Sequence, residues 1–468
     1  MAADVLLIPL IAAAACALPI GGFARALAIL AGLLTTVTVG AAVWSGIGSS
    51  PMDTFAWATP IGAQLSIGAD GWSAALLALS GVLFAIGAAA ASDVPSPRAY
   101  FALWSLLQLT VAGVLVARDL ILFFAFWEAL VFPLALLAWL WGGVDRRAVT
   151  MRLVLVWMTG SALLLTGIIA LGVGARTFSL ADLSGYRLAE GSQVVLALLF
   201  LAAFATRLPL FPLHAWQARA YVSAPVPVAL VLGGVISPLS IYAIARICGP
   251  LFPRGVADLG PALIALASVG AVYGAFLATR QRDTRAFAAY VGLSQLDLVA
   301  LSVFLGTPDG NAGALVSTAS HGLVVATLLL LCAALARRRG SFDVTGRGVR
   351  PRAPVLMALL LVVILAALGL PGTSGAPGQL LILAAAFVRS PAVGLVATLA
   401  VVATAGYAVV FLRTTVIGGE AGPRSDLTWR ERALIVPLIV LIVALGIVPR
   451  AISDLSNPSA PALTERAR

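Results

Sequence analysis

Few residues in this chain can carry charge or a proton, and each stands in apolar sequence where charge is costly. Glu128 lies mid-way in DLILFFAFWEALVFPLALLAWLW, nine residues past Asp119. A carboxylate there persists only if it is paired or used. Arg207, just ahead of a helix break, is the expected partner, through a charge-assisted bond that a guanidinium can make bidentate. A purely structural ion pair is the competing reading. The two histidines, His214 and His321, carry imidazoles whose ordinary pKa of about 6.5 suits a proton shuttle. A hydrogen bond between helices would explain each equally well. Asp297, within LSQLDLVAL, is either a buried proton site or a solvated residue near a helix end. Gln379 is a further polar group beside a second break.

No lysine is present: all 29 basic residues are arginine. Arginine keeps its proton to a pKa above ~12, so it cannot load and unload near neutral pH. It can only act as a fixed charge.

The elements that must position these groups are membrane helices. The chain is 61% hydrophobic and 10% charged, and its apolar runs reach the ~20 residues that cross a bilayer. They predict an all-α membrane protein of about fourteen helices, with spans near 120–141, 193–210, 223–246, 287–305 and 312–336 among them. No stretch alternates with period two, which excludes a transmembrane barrel. Nineteen arginines fall in connections on one side of this pattern and nine on the other, with Arg207 inside a span. The positive-inside rule makes the richer side cytoplasmic and puts both termini outside a bacterial inner membrane. The net charge of +10 is therefore topological, and nucleic acid is not an expected partner.

Residues 1–452 read as a single polytopic domain, and 453–468 as a mobile tail rich in Pro, Ser and Ala. Cys16, Cys248 and Cys332 are isolated, so no metal or iron–sulfur site is expected, and no nucleotide-binding glycine motif occurs. The chain is expected to bind no cofactor. Two stretches break the helical pattern: ATRLPLFPLHAW (205–216) and GLPGTSGAPGQ (369–379). Discontinuous helices at matching places in two halves point to an inverted-repeat transporter with its ion path at mid-membrane. Two Pro-kinked helices without a role are the alternative.

Taken together, these segments resemble the antiporter-like membrane subunits of respiratory complex I and the related multi-subunit cation/proton antiporters. The likeness runs from about 65 to 452 and rests on ARDLILFFAFWEALVFPLALLAWLWGG (117–143), RLPLFPLHAWQARAYVSAP (207–225), SHGLVVATLLLLCAAL (320–335) and LGLPGTSGAPGQLLIL (368–383). LPGTSG tilts it toward the subunit M type of NADH:quinone oxidoreductase. The resemblance implies two inverted five-helix repeats, near 99–247 and 258–415, each with a broken helix. It also implies a helix-five glutamate paired with a helix-seven lysine, a central helix-eight lysine, and a lysine or acid in helix twelve.

Carried over by position, Glu128 is present, the helix-seven lysine is Arg207, the central lysine falls at Pro238, and the helix-twelve acid at Gln379. Pro238 and Gln379 cannot titrate. A continuous path would need water linking Ser237, Ser240, Tyr242, His321 and Asp297. The resemblance implies a subunit of a hetero-oligomeric membrane complex that moves protons, or Na+, in step with quinone reduction. Any oxidoreductase centre would belong to the assembly. A non-conducting paralogue and a stand-alone ion/proton antiporter remain open.

Overall fold

The computed structural model describes residues 1–19, 21–45, 53–58, 62–343, 353–417 and 425–456. Eleven helices among them are long and apolar enough to cross a membrane, and Trp429–Ile447 with Arg450–Ser456, bent by 85°, makes a twelfth. Three shorter apolar helices, Ala2–Ala17, Pro354–Ala367 and Gly375–Arg389, accompany them. By length and composition that is up to twelve spans among the described residues, against the fourteen or so expected. Of the expected tail, residues 453–456 are helical and 457–468 lie outside the described residues.

Two compact units make up the chain. The first comprises 1–208, 235–261 and 454–468. Its helices begin where side chains satisfy their free N–H groups: the Asp70 carboxylate accepts from Ser73 N–H, and Asp119 from Ile121 and Leu122 N–H. Small residues let helices touch. A Cβ on Gly32 would lie 2.6 Å from backbone atoms of Ala85 and Gly81. One on Gly160, in Arg146–Ala175, would collide with the Thr206 hydroxyl beside Arg207. This is the close packing that membrane helices rely on when water no longer drives their association.

Between Ala24–Trp44 and Gly71–Ala90, the structure places a two-stranded antiparallel hairpin, Asp53–Ala58 with Ala63–Ile67, pairing Phe55 with Leu65. Strands this short show no readable alternation, and their stability comes from the partner strand.

The second unit comprises 209–234 and 262–453. At its centre is Pro308–Arg339, whose membrane-length window is wholly buried, carrying Ser317, Ser320 and His321 inward. Thr284–Phe304 packs on it, as does Gly375–Arg389. Residues 209–216 form the first break, after which Gln217–Ser223 resumes the helix. Residues 368–374 form the second break, with Gly369 and Gly372 at φ of 75° and 87°, a region that side chains with a Cβ avoid. Helix Val226–Leu251 carries Pro238 between two π-turns, Leu232–Ile236 and Ile244–Cys248. Proline has no N–H to return to the preceding turn, and a widened turn is one way a helix absorbs that loss.

Candidate ion-translocation site

In the first unit, Glu128 sits two residues before the interruption at Leu130 that divides Leu120–Ala129 from Val131–Trp141. Pro133 explains the interruption, since it cannot donate to the turn that holds Glu128. Arg207 is the last residue of Glu190–Arg207 and is 1% exposed; Glu128 is 23% exposed. Arg207 Nη2 donates to Glu128 Oε1 at 2.8 Å and lies 3.1 Å from Ser161 Oγ, while the Ser161 hydroxyl also donates to Glu128 Oε1.

The bidentate geometry open to this pair does not form. Arg207 Nη1 donates instead to the Trp127 carbonyl at 2.5 Å, an acceptor at the loosened turn. The guanidinium is also flanked by two indoles, 4.2 Å from the Trp127 ring centroid and 5.0 Å from that of Trp157. Such faces attract a cation, most strongly where water is excluded. The result is a fixed positive charge in an aromatic cage with one carboxylate at its open side.

The first unit also holds a cluster that sequence reasoning missed. The Asp70 carboxylate accepts from Arg246 Nε at 2.9 Å and Nη2 at 2.5 Å, and lies 3.5 Å from Arg118 Nη2. Tyr242 joins it: its hydroxyl donates to the Leu115 carbonyl at 3.0 Å and lies 3.3 Å from both Arg118 Nη1 and Ser73 Oγ. Burial works against the Asp70 carboxylate, but the two guanidiniums and the Ser73 amide outweigh it and hold its pKa down at about 2. The Arg118 guanidinium is likewise opposed by burial, yet Tyr242 and Asp70 raise its pKa. Tyr242 is thus tied into an ion cluster at helix ends. Ser237 and Ser240 are buried, with hydroxyls that lack a partner.

In the second unit, His321 is 2% exposed and engaged at both ring nitrogens. Nδ1 lies 3.0 Å from Gln295 Oε1, and Nε2 lies 3.2 Å from the Gly233 carbonyl in the first π-turn. The Gln295 Nε2 amide donates to the Ala367 carbonyl at 3.3 Å, which orients its oxygen toward the histidine. Both neighbours of the ring are therefore acceptors. A neutral imidazole, with one N–H, can satisfy one of them, and the imidazolium satisfies both.

His321 and Gln379 line one cavity of about 20 Å³, room for about one water, together with Ser294, Ser317, Ser320 and Thr404. The Ser317 hydroxyl is buried without a partner, and Ser320 and Ser374 hydroxyls meet at 2.8 Å. Gln379 reaches this cavity because Gly369 has no Cβ; one there would overlap its amide.

Asp297 is 0% exposed, so the solvated alternative is ruled out. His214, half-buried on the first break, stacks on Phe211 at 5.8 Å between ring centroids. The structure therefore joins Glu128 with Arg207, and His321 with Gln379, while Tyr242 belongs to the Asp70 cluster. Only folding brings Asp70, Arg118 and Arg246 together, though an arginine just before a span and another near a helix end are the signals that could have suggested it. Among the described residues no three His, Cys, Asp or Glu side chains gather as a metal site would require.

The family described as "NADH:quinone oxidoreductase/Mrp antiporter, TM" matches residues 117–404, a stretch holding both breaks and the Glu128–Arg207 pair. The chain belongs to this family. NADH-quinone oxidoreductase subunit 13 of Thermus thermophilus is 34% identical over 409 residues, covering 86% of each chain. Subunit M of the Rhodobacter capsulatus NADH-quinone oxidoreductase is 30% identical over 424 residues, covering 86% of this chain and 83% of its own. Among solved structures, a chain of respiratory complex I from Thermus thermophilus with bound NADH superposes with a TM-score of 0.91 at 32% identity, covering 99% of this chain and all of that one. Family membership and the apolar spans make this a multi-pass, α-helical membrane protein of the antiporter-like type.

Proposed function

We propose that this chain is a subunit-M-type antiporter-like component of a quinone-reducing membrane complex, and that it moves protons by a route without lysine. The observation that carries the reading is the Glu128–Arg207 pair, a desolvated ion pair kept beside a helix break in a family of proton-coupled subunits. An ion pair is weak as a stabilising device, because desolvation offsets its attraction. Its separation, however, changes the field felt by neighbouring groups. At an effective dielectric near 20, two unit charges ~4 Å apart interact by about 4 kcal/mol. A neighbour's movement that parts them redistributes an energy of that order.

Arg207 supplies the permanent charge, and proton carriage falls to groups that titrate. His321 takes one role: the imidazolium suits its two acceptors, and the adjoining cavity offers a water toward Gln379. His214 and Asp297 are the other carriers on the second unit, and Ser237 and Tyr242 are polar groups that water could link on the first. On this reading the repeats span about 99–247 and 258–415, both termini lie outside a bacterial inner membrane, and other membrane subunits flank the chain. It holds no cofactor of its own, and the ion is H+, or Na+ if the assembly is an antiporter.

A second reading, a non-conducting paralogue, draws on Pro238 and Gln379, which cannot titrate. Proton flux in liposomes holding the intact assembly separates the two. Conduction predicts that Glu128→Gln and His321→Ala each lower flux while the assembly stays intact. Flux unchanged by both would leave only the structural role.

A further inference from the structure

Asp297 stands apart from every other acidic group of the chain. Among the described residues it is the sole carboxyl whose two oxygens are both buried without a hydrogen-bond partner. It lies mid-way along Thr284–Phe304 and faces Gly270 of Pro253–Ala278, where a Cβ would overlap Asp297 Oδ2. That same Cβ would stand 2.9 Å from the Phe211 Cβ, and the Phe211 backbone lies beside the carboxyl. Asp297 therefore fills a notch that exists because residue 270 is glycine and that the first break closes.

His214 lies three residues further along the break, against the Phe211 ring. The two rings stack, and Tyr273, three residues beyond Gly270, meets Phe211 and His214 edge-on at 5.3 and 5.2 Å. His214 Nδ1 is buried and also lacks a partner. Two proton-exchanging groups with unused hydrogen-bonding capacity thus adjoin Phe211, a residue of a non-helical segment: Asp297 at its backbone and Cβ, His214 at its ring. Other titratable groups nearby are differently occupied. His321, on Pro308–Arg339, is engaged at both nitrogens, and Arg219, on Gln217–Ser223, is exposed.

A lone carboxylate in apolar surroundings is far too costly to persist, so the neutral acid is the form this notch accepts. Native structures leave few buried polar groups unpaired, and those they leave call for a reason. Release of the proton supplies one here. We propose that Asp297 is a reversible proton-binding site of the second unit, and that Phe211 gates its exchange with His214. This rests on the proton-translocation reading above. In the exchange the Asp297 O–H bond breaks, its proton bonds to the free lone pair of His214, and a carboxylate and an imidazolium remain. Movement of the break that displaces Phe211 opens the way; His214 then gives up its proton to water, and Asp297 takes up another proton, which restores both neutral groups.

The test uses the intact assembly in membranes, by infrared difference spectroscopy in H2O and D2O alongside proton flux. The wild type should show a protonated-carboxyl C=O band that shifts in D2O and disappears in Asp297→Asn, a change that keeps the side chain's shape. Flux in that variant should fall by about tenfold or more. Gly270→Ala, which must displace the carboxyl, should move the same band. An Asp297→Asn protein that melts like the wild type but keeps the band and the flux overturns the proposal. If the wild type itself moves no protons, the translocation reading fails, while loss or retention of the band still decides whether Asp297 binds one.

Discussion

Removing both members of the Glu128–Arg207 pair should cost less than the sum of the two single losses. Glu128→Gln leaves Arg207 charged at 1% exposure, with only neutral partners in Ser161, the Trp127 carbonyl and two indole faces. Breaking a buried pair in this way costs about 3–5 kcal/mol in general. The Ser161 hydroxyl, the Trp127 carbonyl and the two indole faces still partner the guanidinium, which places this case near the lower end, about 3 kcal/mol. Arg207→Met removes the cation and leaves a carboxylate that keeps its Ser161 bond, a loss of about 2 kcal/mol. With both changes the unpaired charge is gone and an apolar chain lies between the indoles. The double variant should lose about 2–3 kcal/mol, leaving a coupling of about 2 kcal/mol, or roughly thirtyfold in the unfolding equilibrium. A double-mutant cycle of unfolding in mixed micelles measures it. Strictly additive losses would refute the argument that the pair is desolvated and interacts directly.

Other outcomes follow from single contacts. Asp70 has a folded pKa of about 2 against an ordinary 3.8, so its ionisation stabilises the fold by about 2 kcal/mol at neutral pH. That contribution is complete above pH ~4 and is lost as pH falls toward 2; Asp70→Asn should lower the neutral melting temperature and flatten its fall across this range. Gly160→Val should separate Arg146–Ala175 from Glu190–Arg207 by driving into Thr206, costing about 1–3 kcal/mol and lowering flux with no titratable group changed. Melting curves paired with flux check it. Gln379→Glu puts a titratable group on the wall of the His321 cavity and should raise flux; no increase would mean that protons do not leave by this cavity.

Apolar run length and arginine distribution made the helices legible, because in a bilayer each span satisfies its own backbone. The breaks were legible because proline and glycine act locally. The Glu128–Arg207 partnership could be read because few charges lie deep in spans, but its one-sided geometry could not, since it depends on the Trp127 carbonyl lying within reach of Arg207 Nη1 in the folded chain. The 53–67 hairpin escaped because its strands draw their order from each other. Tyr242 is legible in the sequence as a polar group in a span, but only the folded chain shows its hydroxyl against Arg118 and Ser73, which also hold Asp70. The burial of Asp297 hinged likewise on a glycine in a different helix.

The caged guanidinium has one more consequence. A lysine in its place would be a variable whose charge follows local acidity. Arg207, clamped by two indoles and a backbone oxygen, is closer to a fixed plate in a capacitor, where only the gap to the opposite plate can change. Such an element answers to displacement and is indifferent to proton concentration on either side of the membrane. Under the function proposed above, it would make this chain a mechanical receiver of motion from its neighbours, with chemistry confined to other residues.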